Sequence, residues 1–145
     1  MLCSKTEIRV RYEETDQMGV VYHAKYFSWF EVARVHLLDE IGHPYKKLEK
    51  KGFFLPVLSC MATFYKPARF DDRLTIKTKA GFDSLLKLSL QYQVLRENDL
   101  IASGTTVHAF VSEKGKPVRP PSSFSVFFRS QSCDDENKST TEWAT

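Results

Sequence analysis

Apolar and polar residues alternate along five stretches of the chain, and a period of two residues predicts β-strands with one buried face. The first stretch contains Ile8, Val10 and Tyr12, which alternate with charged residues. The other four cover residues 58–64, 74–82, 86–94 and 101–111. In each stretch the first residue and every second residue after it are expected to form the apolar face. Residues typical of turns separate these later stretches. We therefore expect consecutive strands to pair as antiparallel hairpins.

A helix is predicted at residues 24–41, because apolar residues there recur every three or four positions. Tyr26 and Phe30 belong to this stripe, and further aromatic residues widen it. Since the helix is apolar around much of its circumference, we expect other structure to enclose most of it. Gly42 and the proline that follows soon after end it. A second, polar helix is predicted at residues 45–51.

These elements predict one α+β domain in residues 1–130, and a chain of 145 residues suits one domain. An apolar helix between a first strand and four later strands needs a partner on most of its sides. A curved antiparallel sheet wrapped around the helix meets that need. Residues 131–145 are polar apart from Trp143, and we expect a disordered tail there.

Charge and cysteine content argue against several functions. The chain has 21 Lys and Arg against 18 Asp and Glu, a net charge of +3, without the concentrated basic face that nucleic-acid binding needs. Its three cysteines are widely spaced and no His-Glu-x-x-His motif occurs, so neither a disulfide framework nor a metal site is expected. Cys60, on the apolar face of its strand, is expected to be a packed core thiol. No apolar stretch approaches the ~20 residues of a membrane span and no signal region is visible, so we expect a cytoplasmic protein without membrane insertion.

Candidate chemistry lies in the loop between the first strand and the long helix. Asp16 and Gly19 occupy this loop, which leads directly into the helix N-terminus. Unpaired N–H groups at such a terminus can polarise a carbonyl group while a nearby carboxylate attacks it or activates a water molecule. A loop aspartate before a helix is more often a cap or a surface residue. Asp16, however, lies too far before Ala24 to be a simple N-cap.

The same region contains an extended motif at fixed spacing. It reads Tyr12-x-x-Thr15-Asp16-x-x-Gly19-Val20-Val21-Tyr22-His23-x-x-Tyr26, followed by Trp29-Phe30-Glu31-x-Ala33-Arg34. With this motif, about residues 5–128 resemble the 4-hydroxybenzoyl-CoA thioesterase-like hotdog family, in particular its branch associated with bacterial Tol-Pal gene clusters. The resemblance implies a hotdog fold and an acyl-CoA thioester hydrolase, without cofactor or metal, that releases a carboxylic acid and free CoA. It also implies a dimer or a dimer of dimers (a homotetramer) with each acyl site at a subunit interface.

The resemblance further implies roles for individual residues. Asp16 takes the role of nucleophile or general base, and the backbone N–H of His23 takes the role of carbonyl-polarising donor. Tyr12 and the His23 side chain match the tyrosine and histidine that accompany the aspartate in this branch. Glu31 is a second candidate carboxylate, because related lineages carry a helical glutamate. The alternatives for Glu31 are an ion pair with Arg34 or a structural tie at the subunit interface.

Substrate contacts are expected on the acyl side and on the CoA side. The expected contacts are Tyr22, Phe54, Lys66, Arg69 and Lys87. The chain departs from the family pattern in two places. Lys25 stands where asparagine is common, and residues 83–87 lack the arginine-rich run that some members use for the CoA phosphates.

Two other functions are compatible with the same fold. The first is a hotdog protein that binds an acyl carrier protein or another partner and has weak or vestigial thioesterase activity. The second is a dehydratase, which is disfavoured because its His-plus-Glu pattern at the helix is not evident. A serine hydrolase is unsupported, since the chain has no Gly-x-Ser-x-Gly elbow.

Overall fold

The structure, a computed structural model, describes residues 2–84 and 86–124. Its elements in chain order are β1 (Leu2–Arg9), a short 3₁₀ helix (Tyr12–Glu14), α1 (Lys25–Glu40), α2 (Tyr45–Lys50), β2 (Val57–Phe64), β3 (Arg73–Phe82), β4 (Lys87–Arg96) and β5 (Asp99–Ala109). Both helices lie where the sequence predicts them, whereas β1 ends at Arg9, and Tyr12, predicted to lie in this strand, lies in the 3₁₀ helix. The tail predicted at residues 131–145 lies outside the described residues.

The strands form one antiparallel sheet in the order β1-β3-β4-β5-β2. The predicted hairpins β3–β4 and β4–β5 are confirmed. The predicted hairpin between β2 and β3 is wrong, because β2 pairs with β5 at the far edge of the sheet. Residues 65–72 connect the two strands across the end of the sheet, where the N–H groups of Tyr65 and Lys66 both donate to the carbonyl of Ile101. Turn residues at the end of a strand show that the chain bends, but they do not show which strand it meets next.

The long helix α1 packs across one face of the sheet, mainly against β1 and β3. Its buried side chains are Tyr26, Trp29, Phe30, Ala33, Leu37 and Leu38. Burial of each large apolar side chain contributes ~1.5–3 kcal/mol to folding. The expected enclosure is incomplete, since Val32 and Val35 on the opposite side of α1 are exposed in a single chain.

The inward face of β5 differs from the prediction. Thr106 and His108 are buried, whereas Thr105 and Val107 are only partly buried. Gly104 belongs to the buried row, and a Cβ atom at this position would lie 2.4 Å from Cε2 of Phe30. The glycine thus allows an aromatic ring of α1 to rest directly on the strand. Alternation alone could not identify this face, because both rows of β5 carry apolar residues.

The cysteines also differ from expectation. Cys60 is exposed and free, not a packed core thiol. The reason is the edge position of β2, on which every residue except Ala62 is exposed in the single chain. Cys3 on β1 is disulfide-bonded, which the sequence spacing did not indicate.

Candidate active site

A tight hairpin carries Asp16. The N–H of Asp16 donates to the carbonyl of Val20 at 2.9 Å, and Thr15 pairs with Val21. The turn at the hairpin tip is closed by the N–H of Gly19, which donates to the carbonyl of Asp16 at 3.0 Å. Gly19 has φ +75°, a left-handed conformation that side chains disfavour. The loop predicted from Asp16 and Gly19 is therefore an ordered hairpin with a defined turn.

The Asp16 carboxylate is partly used by this turn. Its Oδ1 accepts the backbone N–H of Met18 at 2.8 Å, as in an Asx turn. Within residues 2–84 and 86–124, its other oxygen accepts no hydrogen bond, and the side chain is partly exposed. The Arg69 guanidinium lies beside the same turn, with Nη1 4.0 Å from the position a Cβ would take at Gly19. One carboxylate oxygen is thus available for chemistry, with a cation close by.

The helix entrance follows the hairpin directly. Ala24 is the N-cap of α1, and it supplies no side-chain cap. The carbonyls of Tyr22 and His23 accept the N–H groups of Lys25 and Tyr26, at 2.9 and 3.3 Å. By contrast, the N–H groups of His23 and Ala24 have no acceptor among the described residues. Two backbone donors are therefore free at the positive end of the helix, where an oxyanion would be stabilised.

A cavity of about 280 Å³ opens beside the helix entrance. Its lining residues are Val20, Val21, His23, Tyr26, Phe64, Tyr65, Lys66 and Pro67. The rings are in contact, with Tyr26 and Phe64 edge to face at 4.9 Å between centroids. Asp16 itself does not line this cavity in the single chain, although its hairpin partner Val20 does.

The buried phenol of Tyr26 forms part of the cavity wall. Burial raises its pKa above the ordinary value of 10.0, and a hydrogen bond with the backbone of Ala68 offsets part of that rise. The Ala68 carbonyl also accepts the N–H of Val21 at 2.8 Å. Tyr26 is therefore neutral at physiological pH. Its ring is an apolar surface at the point where residues 65–72 meet the hairpin that carries Asp16.

Of the eight residues predicted for the site, six lie at one end of the sheet. These are Tyr12, Asp16, Tyr22, His23, Lys66 and Arg69. The Tyr22 ring contacts that of His23, with centroids 4.5 Å apart. Tyr12 is near but points outwards: it is 77% exposed and packs edge to face against Phe70.

The remaining two predicted residues lie at the opposite end. Lys87 begins β4, nine residues before Arg96, whose guanidinium donates to the carbonyl of the cavity-lining Pro67. Nine residues of extended strand span roughly 30 Å. Phe54 pairs with Val111, just beyond the end of β5. Within one chain, neither is brought to the helix entrance.

The ion pair considered between Glu31 and Arg34 is absent from the described residues. Among the salt bridges of the described residues, none joins Glu31 to Arg34. Arg34 instead donates to the hydroxyl of Tyr92 at 3.4 Å, because it lies on the side of α1 that faces the sheet.

The sequence reasoning missed several residues around the site. Phe64 and Tyr65, from the end of β2 and the segment after it, form one wall of the cavity. Glu14 is a buried carboxylate that binds the indole N–H of Trp29 at 2.7 Å. No pattern distinguished Glu14 from its exposed neighbour Glu13, and only the position of the 3₁₀ helix shows which of the two turns inwards.

In residues 2–84 and 86–124 no group of three or more His, Cys, Asp or Glu side chains is placed to hold a metal ion. The helices of this part of the chain also lack the length and apolarity needed to cross a membrane.

Several known proteins are similar to this chain over most of its length. The family profile described as the Thioesterase-like superfamily matches residues 10–128. YneP of Bacillus subtilis is 36% identical over 121 residues, covering 82% of this chain and 88% of that protein. The acyl-CoA thioester hydrolase YbgC of Escherichia coli is 33% identical over 126 residues, covering 84% and 92%. Among solved structures, a DHNA-CoA thioesterase from Staphylococcus aureus superposes with a TM-score of 0.78 at 34% identity, covering 82% of this chain and 81% of the other.

Proposed function

Because this chain belongs to the thioesterase-like superfamily, we propose that it hydrolyses acyl-CoA thioesters with Asp16 as nucleophile or general base. The observation that carries the proposal is the hairpin geometry. Main-chain hydrogen bonds hold the Asp16 carboxylate and the free N–H of His23 on one small unit at the N-terminus of α1. Such a unit presents a base and an oxyanion-binding site on fixed backbone.

The reaction needs only water as a second substrate. As a general base, Asp16 takes a proton from water while the resulting hydroxide adds to the thioester carbon. The oxygen of the tetrahedral intermediate is held by the N–H groups of His23 and Ala24. Collapse breaks the C–S bond, and the proton returns from Asp16 to the departing thiolate. As a nucleophile, Asp16 would instead form a mixed anhydride with loss of the thiolate, and water would then release the acid.

The residues near the entrance of α1 are suited to different parts of the substrate. Tyr22 and the cavity beside His23 are suited to the acyl group, because their surfaces are largely aromatic. Lys66 and Arg69 flank the same entrance and could bind the CoA phosphates. For Lys66 this requires release of its exposed ion pair with Asp99 (2.9 Å), and such a pair contributes only ~0–1 kcal/mol.

We further propose that a second copy completes the site. The edge strand β2 exposes large apolar side chains on both of its faces, namely Val57, Leu58, Met61 and Phe64. An unpaired apolar edge favours pairing with another strand. A dimer joined there would place Phe64, which lines the cavity, next to the partner subunit. Tyr12, Phe54 and Lys87, which do not meet Asp16 within one chain, stay assigned to such a shared site. We place the chain in the Tol-Pal-associated branch on its motif.

The decisive experiment measures thiol release from a panel of aliphatic and aromatic acyl-CoAs. Asp16→Asn removes the negative charge at nearly constant shape, and we expect kcat/KM to fall at least ~10³-fold, equivalent to ~4 kcal/mol. Asp39→Asn makes the same chemical change at an exposed position near the other end of α1, and it should leave the rate unchanged. Full activity in Asp16→Asn would reject the assignment.

A second candidate is a protein that mainly binds an acyl carrier protein and hydrolyses thioesters only weakly. It is supported by the exposed lysines of α2, Lys46, Lys47 and Lys50, which form no salt bridge with any described acidic residue. An acidic carrier surface would complement this charge. Saturable, salt-sensitive binding of carrier protein with negligible turnover of the acyl-CoA panel would favour this function over hydrolysis.

A further inference from the structure

We propose that Glu14 is a positioning residue for the hydrolysis, because its buried carboxylate ties the hairpin that carries Asp16 to helix α1. The proposal rests on the proposed function, since it gives Glu14 no chemical step of its own. Glu14 does not line the cavity. Its effect would pass entirely through the placement of Asp16.

Glu14 is 3% exposed, and both of its carboxylate oxygens accept hydrogen bonds. Oε2 accepts the indole N–H of Trp29 at 2.7 Å, and Oε1 accepts the backbone N–H of Arg11 at 2.8 Å. The Arg11 side chain is a third neighbour, with its Nε 3.7 Å from Oε1. Each of these partners is a donor, so the surroundings match an ionised carboxylate, which only accepts.

The backbone of Glu14 holds the other side of the hairpin. Its carbonyl accepts the N–H of Tyr22 at 2.9 Å, and Tyr22 directly precedes His23. Asp16 follows Glu14 by two residues. Trp29 lies four residues inside α1, about one turn from its first residue. Glu14, which directly precedes the first strand of the hairpin, is thus hydrogen-bonded to the end of its second strand and to the helix whose N-terminus forms the candidate oxyanion site.

Stability alone does not account for a buried charge here. Replacing a buried ionic group by well-packed apolar residues is often neutral or stabilising, so a buried carboxylate is weak evidence of a stabilising role. Its directional bonds do fix geometry. Acyl transfer is sensitive to such geometry, because a displacement of ~1 Å at a reacting group can cost ~10²-fold in rate.

The test uses two variants that break the same bond from opposite ends. Glu14→Gln keeps the volume but leaves one accepting oxygen for two N–H donors, and Trp29→Phe removes the indole N–H while keeping an aromatic ring. We expect each to lower kcat by about 10–100-fold, with KM for acyl-CoA changed less than about threefold. Glu13→Gln is the matched control, because Glu13 is exposed and its one salt bridge within residues 2–84 and 86–124 is with Arg11. It should keep the wild-type kcat.

Combination with Asp16→Asn separates positioning from general damage. If Glu14 acts through Asp16, Glu14→Gln should leave the residual rate of the Asp16→Asn enzyme unchanged. The proposal is overturned if folded Glu14→Gln keeps kcat within about twofold of wild type, or if its loss persists in the Asp16→Asn background. Should Glu14→Gln fail to fold, Trp29→Phe decides by the same criteria. Wild-type activity in Asp16→Asn would instead refute the proposed function itself.

Discussion

Substitution of His108 by glutamine should make the stability of the protein less sensitive to acid. His108 is fully buried on β5, and its Nδ1 lies 3.3 Å from the carbonyl of Leu55. Since a carbonyl can only accept, Nδ1 carries the proton, and Nε2 is left to accept from the hydroxyl of Thr106 at 2.8 Å. That hydroxyl accepts in turn from Tyr92, 2.7 Å away, and Tyr92 accepts from Arg34. The chain of bonds is complete only when the imidazole is neutral.

The size of the effect follows from the pKa of His108. Burial, followed by the positive charge of Arg34, lowers this pKa from 6.5 to about 4. Between these values the unfolded chain binds a proton that the folded chain does not, so acid favours unfolding. The stabilisation is therefore fully present above pH 6.5 and is lost as the pH falls towards 4. From pH 7 to pH 5 the loss is about 2 kcal/mol, at a limiting slope of ~1.4 kcal/mol per pH unit.

The assay is denaturant unfolding of wild type and His108→Gln at fixed protein concentration, from pH 7 to pH 5. A glutamine amide can donate to Leu55 and accept from Thr106 without titrating. The wild-type advantage in unfolding free energy should shrink by about 2 kcal/mol over this range. Contributions from the ionisable groups that both proteins share cancel in the difference. An advantage that stays constant within ~0.5 kcal/mol would refute the reasoning.

Two further predictions concern the sheet. Gly104→Ala should lower the unfolding free energy by ~1–3 kcal/mol, because the added Cβ would meet the Phe30 ring at 2.4 Å and the Met61 carbonyl at 2.8 Å; denaturant titration with an unchanged midpoint would contradict the close packing. Met61→Asp places a charge on the exposed edge strand β2 and should convert the proposed dimer to monomer in light scattering. An assembly of unchanged mass would show that subunits do not meet through this edge.

The candidate site could be predicted in part because much of it is local in sequence. Asp16 and His23 are seven residues apart, and the turn at Gly19 together with the helix start brings their segments together. Glu14 was not predicted, because its burial depends on Trp29 at a distance of fifteen residues. Phe64 was not predicted either, since it reaches the cavity only through the pairing of β2 with β5.

Short-range periodicity was sufficient for the elements themselves. The spacing of apolar residues located α1 and the last four strands, because a helix repeats every 3.6 residues and a strand every two, whatever the rest of the chain does. The motif from Tyr12 to Arg34 was sufficient to indicate the family. These properties depend only on residues that are close in sequence, so they can be recognised without knowledge of the fold.

Tertiary structure decided the properties that depend on distant partners. It placed β2 at the sheet edge, so that Cys60 is exposed, and it turned Thr106 and His108 into the core. It also separated Phe54 and Lys87 from the helix entrance. The physical reason is that an alternating strand can present either face and pair with several neighbours, and only the close packing of α1 against the whole sheet selects one arrangement.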